Sequence, residues 1–285
     1  MIQKQYIYKF SIMTSPCEIH IFSDNKEKAN KIADKIFKNS KQLEQKYNFY
    51  NPNSFLSQIN QRTIDNLDVQ TQDILKKAES FYYKTETIFD ITMGTLKQAR
   101  KHKSVKEIED ESRKLLSFVG VEHFKIRKNR ILFDNPYTVI DLGGFVKELA
   151  VDQAVKIVQK AKITSALINF GGDIFALGSK PNDESFMIGI KNPLNPKEYI
   201  KRVPLINQAL TTSASYERYL KVEDKTYSHI IDKSPIQTKI LSATVISSSA
   251  VESGVYSTAL MIKPTLKVKN SISKILIDIE LNILT

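Results

Sequence analysis

The sequence predicts an α+β protein, and three observations carry that class. Short apolar runs of strand character recur along the chain, long stretches with apolar residues at helical spacing lie among them, and no regular strand–helix–strand alternation links the two. At 285 residues the chain can bury a large core. It carries no internal repeat and no low-complexity linker, which predicts one integrated domain over residues 1–285.

The elements follow in order. Residues 6–12 and 17–22 read as strands around a Met13-Thr14-Ser15-Pro16 turn. Ala29, Ile32, Ala33, Ile36, Phe37, Leu43 and Tyr47 recur at helical spacing and predict an amphipathic helix over 26–47. Tyr50-Asn51-Pro52-Asn53-Ser54 is turn chemistry. A helix is expected over 70–87, and the polar stretch 100–112 reads as a loop or a surface helix. Strands at 124–127, 131–134 and 137–141 lead into a helix over 146–161, where Leu149, Ala150, Ala154, Ile157 and Val158 share a face. A strand at 165–170 is followed by short β segments at 174–177, 186–190, 199–205, 208–212, 227–231 and 242–247. A helix over 249–262 and a strand at 274–278 complete the reading, with Ser247-Ser248-Ser249 placed to cap that helix.

Charge and cysteine content narrow the function classes. The formal net charge is +11, but lysines and acids are interleaved throughout, as in Asp24-Asn25-Lys26-Glu27-Lys28. That distribution argues against nucleic acid and leaves a positive surface that favours phosphorylated small molecules. The single cysteine, Cys17, excludes an internal disulfide and a thiolate metal cluster. No stretch approaches a membrane span, and no apolar leader precedes the first strand. The expected compartment is cytoplasmic for the sequence as written, and periplasmic if a leader has been removed.

Four of only nine glycines fall in two pairs, Gly143-Gly144 and Gly171-Gly172, each after an apolar run and each near an aspartate. Glycine lets backbone amides approach a ligand or lets a strand turn sharply. Neither pair completes a dinucleotide-binding or P-loop fingerprint. Among the histidines, His229 stands in Thr226-Tyr227-Ser228-His229-Ile230-Ile231-Asp232, where polar neighbours and a nearby acid suit acid–base work. Phe89–Leu96, Leu210–Tyr219 and Ser247–Ala250 add hydroxyls and glycine. Many donors with few carboxylates suit a phosphate-bearing ligand.

In order and spacing these segments resemble the ApbE-type flavin transferases, over nearly the whole chain. Met13-Thr14-Ser15 resembles an early M-G-T, and Tyr50–Ser57 resembles Y-x-P-x-S-E-L-S. Phe89–Leu96 is similar to F-D-[IV]-T-V-G-P-L, and Asp141–Asp152 to D-L-G-G-I-A-K-G-Y-A-V-D. Asn169–Gly178 resembles N-x-G-G-D-I-x-A-x-G, Thr212–Tyr219 resembles T-S-G-D-Y-E-R-Y, and Tyr227–Asp232 resembles Y-S-H-I-I-D-P.

The resemblance implies an FAD:protein FMN transferase that splits FAD with Mg2+ and joins FMN by a phosphoester to a Thr or Ser of an acceptor protein. It implies FAD contacts at Met13, Tyr50, Phe89, Asp90, Gly143, Leu149 and His229, with His229 as the acid–base residue. It implies a metal held by the Val146 carbonyl, by Thr258, and by an aspartate four residues before Thr258. This chain has Gly254 there, Glu148 where the pattern has glycine, and Phe55, Ala214 and Ser215 at three further departures. On that basis Gly254→Asp is expected to restore a metal ligand one helical turn before Thr258. The alternatives are a non-catalytic FAD-binding member of the family and an FAD hydrolase.

Overall fold

Alternation of Tyr6, Tyr8 and Phe10 with outward residues builds β1 (Lys4–Ile12), which pairs with β2 (Ser15–Ser23) through a two-residue turn. The computed structural model describes residues 3–195, 197–216, 219–228, 230–233 and 239–285. The helix α1 (Lys26–Tyr47) starts at Asn25, whose side chain accepts from the Lys28 amide. Ser54 and Asp68 cap α2 (Phe55–Asn60) and α3 (Val69–Lys84) in the same way. Then come α4 (Gly94–Lys97), α5 (Val105–Leu115), the hairpin of β3 (Phe124–Arg127) and β4 (Arg130–Phe133), and α6 (Val146–Lys160). The remainder is β5 (Ala166–Phe170), β6 (Asp173–Leu177), β7 (Phe186–Lys191), β8 (Tyr199–Leu205), β9 (Gln208–Ala214), β10 (Tyr219–Val222), β11 (Lys225–Ser228), β12 (Ile240–Ser247), α7 (Ala250–Ile262), β13 (Ser273–Asp278) and β14 (Ile283–Leu284).

The α+β class holds, around an eight-stranded antiparallel sheet in the order β1-β2-β5-β6-β9-β12-β13-β14. Helices α1, α6 and α7 pack on one face, and the main core fills the space between. The β7–β8 hairpin covers part of the other face through Phe186, Ile188, Val203 and Leu205. All five residues of β6 are buried, because Phe175 and Leu177 face the helices while Ile174 and Ala176 face the hairpin.

Two expectations need correction, and two short helices were not foreseen. The helix expected over 70–87 stops at Lys84, because Glu86 and Thr87 adopt left-handed φ of 54° and 65°. The polar stretch at 100–112 holds the start of α5, a surface helix as one of the two readings expected, capped by Ser104. The helices α2 and α4 are too short to show periodicity. Residues 137–141 form no strand beyond a bridge between Met93 and Val139. Side chains satisfy that backbone instead: Asn60 Oδ1 accepts from Ile140 N at 2.9 Å, and Asn60 Nδ2 donates to Ile140 O at 2.8 Å. Thr95 Oγ1 accepts from Val139 N at 2.9 Å.

Arg62 fastens the same segment. Its guanidinium donates to the carbonyls of Asn60, Asn135 and Thr138 at 2.6, 3.1 and 2.8 Å, and lies 3.5 Å from the Phe133 ring centroid. Arg62→Ala is expected to cost about 2–3 kcal/mol, since half-buried carbonyls lose a charged donor and the ring loses its cover. Urea unfolding against the parent measures this, and a shift below about 0.5 kcal/mol would contradict the anchoring role.

Candidate functional site

Two tight turns lie side by side at one end of the sheet. Met13 and Thr14 both take left-handed φ, 50° and 59°, in the two-residue turn between β1 and β2. Such turns favour glycine or asparagine, so a methionine and a threonine there are held under strain. Glu44 on α1 accepts from the Met13 amide at 2.6 Å. Gly171 and Gly172, with φ of 63° and 98°, make the matching turn between β5 and β6. The Gly171 amide donates to the Pro16 carbonyl at 2.9 Å, and a Cβ on Gly171 would come within 2.7 Å of Ser15 Cβ. Glycine is required there by conformation and by space.

The other pair behaves differently. Neither Gly143 nor Gly144 has positive φ, so sharp turning does not explain them. Both are exposed just before α6, and the Gly143 amide donates to Asp141 Oδ1 at 2.8 Å. A Cβ on Gly144 would meet only Phe89, at 3.8 Å. Bare backbone therefore faces solvent where a long helix begins, an arrangement open to an anion.

Around this point the segments converge. Lys147 in the first turn of α6 pairs with the buried Asp173 at the start of β6. Asp141 pairs with Lys97. Phe89 is a core residue whose ring lies 6.3 Å from that of Phe145. Asp90 is buried and accepts from the Thr92 amide and hydroxyl at 2.8 and 2.5 Å, while Lys233 Nζ stands 3.5 Å from its Oδ2. Burial pushes the Asp90 carboxyl up, and the Thr92 and Lys233 contacts oppose that shift.

Ser213 on β9 hydrogen-bonds Ser257 and Thr258 of α7, at 2.8 and 3.1 Å. Thr258 thus lies against the same sheet. Val146 is the first residue of α6, buried; a carbonyl in the helix ladder keeps a second lone pair. Leu149 is half-buried against the core. Tyr50 is 80% exposed, its ring edge-on to Phe49. His229 lies outside the described residues.

Sequence reasoning missed several residues here. Arg100 donates to the Ser228 carbonyl at 2.6 Å, which fixes the end of β11 directly before His229. Lys97, Lys147 and Asp173 form the ion pairs just described. Asp152 on α6 accepts from the amides of Ala250 and Val251 at 2.7 and 3.2 Å, and so caps α7 from a neighbouring helix. The acidic residue closing the Asp141–Asp152 motif was the available signal.

The expectation for Gly254→Asp also changes. A Cβ at position 254 would come within 2.6 Å of Glu148 Cγ. The place is already filled by a carboxylic side chain from α6. Whether the neighbourhood suits an oxygen-seeking cation is answered by that side chain: Glu148 is buried and its Oε2 has no hydrogen-bond partner. The donor set fits such an ion. Burial, then the charge of Asp173, hold the Glu148 carboxyl well above the usual carboxylate range.

An antiparallel sheet covered on one face by three helices, with strained turns and exposed glycines gathered at one end, places the chain among α+β proteins. Residues 13–281 match the model of the ApbE family, and the chain belongs to that family. It is 27% identical to the FAD:protein FMN transferase of Vibrio cholerae over 75% of this chain and 67% of the relative. Against the FAD:protein FMN transferase of Salmonella typhimurium it is 24% identical, over 71% of this chain and 61% of the relative. The crystal structure of the ApbE protein from Thermotoga maritima superposes with a TM-score of 0.87 at 24% identity, covering 99% of this chain and 96% of that one. Flavin transferase ApbE from Vibrio cholerae gives a TM-score of 0.81 at 22% identity, covering 97% and 94%. Among the described residues, no helix is long and apolar enough to cross a membrane.

Proposed function

We propose that this chain is an FAD:protein FMN transferase that uses FAD as substrate and modifies a Thr or Ser of an acceptor protein. One observation carries the reading in an ApbE-family chain: motif residues from distant segments meet at one end of the sheet, beside the exposed glycines that open α6. In the proposed reaction the acceptor hydroxyl oxygen attacks the FMN phosphorus, the bond from that phosphorus to the bridging oxygen breaks, and AMP leaves. His229 takes the hydroxyl proton. Arg100 and Lys233 support this role by holding the segment on either side of it, through the Ser228 carbonyl and Asp90. Met13, Tyr50, Phe89, Asp90, Gly143 and Leu149 are proposed to border FAD. Phe89 and Asp90 act there as buried supports, while Tyr50 and Gly143 offer exposed surface.

The Val146 carbonyl and the Thr258 hydroxyl are proposed to hold Mg2+. When bound, that ion offsets phosphate charge. The test is in-gel flavin fluorescence of an acceptor protein incubated with the chain, FAD and Mg2+. Labelling that survives denaturation is the expected outcome. AMP release without labelling would mark an FAD hydrolase, and FAD binding with neither product would mark a binding protein; either overturns the transferase reading.

A further inference from the structure

Helices α6 and α7 meet at two places one turn apart. At one, Asp152 accepts from the Ala250 and Val251 amides. At the other, Glu148 lies over Gly254, where an added Cβ would stand 2.6 Å from Cγ, 3.1 Å from Cδ and 3.2 Å from Oε1 of the glutamate. One turn back along α6 is one turn forward along α7, an antiparallel register. A further step in that register leads to Gly144, just ahead of α6, on one side and to Thr258 of α7 on the other.

Gly254 lies inside α7 without positive φ, so its backbone does not call for glycine. A glycine in a helix interior is less favourable than alanine. What calls for it is the Glu148 side chain, which fills the volume that a residue at 254 would occupy. Glu148 is only 6% exposed, and its Oε2 has no hydrogen-bond partner. Leaving a carboxylate so placed without a partner is strongly unfavourable. Asp173 is close enough to act on it electrostatically. Among the described residues no three His, Cys, Asp or Glu side chains converge on one point. A cation here would therefore use one or two carboxylates and complete its shell with carbonyl, hydroxyl and phosphate oxygens, the pattern Mg2+ follows beside nucleotides.

We propose that Glu148, with Asp173 beside it, supplies from α6 the carboxylate for a divalent cation, in the place of a side chain from position 254 of α7. The resemblance expects glycine at 148 and aspartate at 254; this chain has Glu148 and Gly254. Relative to that pattern the carboxylate stands on the opposite helix, one methylene longer, and the glycine faces it, which keeps one acidic side chain in the contact. The inference rests on the transferase reading, because FAD phosphates complete the shell. It also predicts that Gly254→Asp alone adds no metal affinity, since a Cβ there would stand 2.6 Å from Glu148 Cγ.

The test reads metal binding separately from turnover. Mn2+ is titrated into protein with stoichiometric FAD, and the loss of the free-ion EPR signal gives its affinity. Glu148→Gln is expected to weaken Mn2+ at least tenfold while thermal unfolding stays near the parent's. The exchanged variant Glu148→Gly/Gly254→Asp is expected to recover affinity to within a few-fold. Parental Mn2+ affinity in Glu148→Gln overturns the proposal, as does an exchanged variant that folds but fails to recover the ion. A parent that binds Mn2+ through Glu148 yet labels no acceptor supports this site and overturns the transferase reading alone.

Discussion

Asp152→Ala is expected to destabilise the protein by about 2–4 kcal/mol, because it leaves two amides at the buried start of α7 without an acceptor. Ser249 caps the Glu252 amide and cannot reach across to replace both bonds. Asp152→Asn keeps one acceptor oxygen and should lose less than half as much. Urea denaturation of the three proteins gives the order. Equal stability of parent and Asp152→Ala would show that water replaces the carboxylate.

The pH dependence of the same set has a definite sign. Burial raises the folded pKa of Asp152 above its ordinary value of 3.8, against the pull of the two amide bonds. The folded chain then holds the proton more tightly than the unfolded one. Stability from this group is fully present below the unfolded pKa and declines as pH rises through the folded one. The parent should therefore lose ground to Asp152→Asn as the pH climbs from about 4 toward neutrality.

His229→Ala is expected to reduce FMN transfer by about 10²–10⁴-fold while FAD affinity stays within a few-fold. The reasoning is chemical. A serine or threonine hydroxyl is a weak nucleophile, and a nearby imidazole that accepts its proton acts mainly in the transition state. A packing residue would instead lower stability and FAD binding together. Comparing labelling rate, FAD affinity and unfolding temperature in one variant separates the two roles. Comparable labelling by mutant and parent would remove His229 from the chemistry.

Most of the sheet and the long helices were legible because their side chains repeat with periods of two or 3.6. The β6 strand shows no alternation because both of its faces are covered. Residues 137–141 looked like a strand and carry apolar residues for that reason, yet Asn60 and Thr95 take the place of a neighbouring strand. The motifs marked where ligand-facing segments lie along the chain. They did not reveal the supports that hold them, such as Arg100 on Ser228 or Glu44 on Met13, because those partners lie 128 and 31 residues away. The meaning of Gly254 was hidden for the same reason. A glycine in a helix reads as a loss until the helix opposite is seen to fill its place.

The sheet order also governs how the chain acquires its shape during synthesis. Cys17 of β2 pairs with Phe170 of β5, a separation of 153 residues by subtraction of the two positions. At ordinary ribosomal speeds of about 5–20 residues per second, the first hairpin waits roughly 8–30 s for that partner strand to be made. Throughout that interval one edge of β2 has open backbone donors and acceptors, a template for pairing with other chains. Lys9 and Glu18, joined across the hairpin at 2.9 Å, place charge on it during the wait. Yield on expression should therefore depend on chaperone supply and growth temperature more than on the final stability of the folded protein.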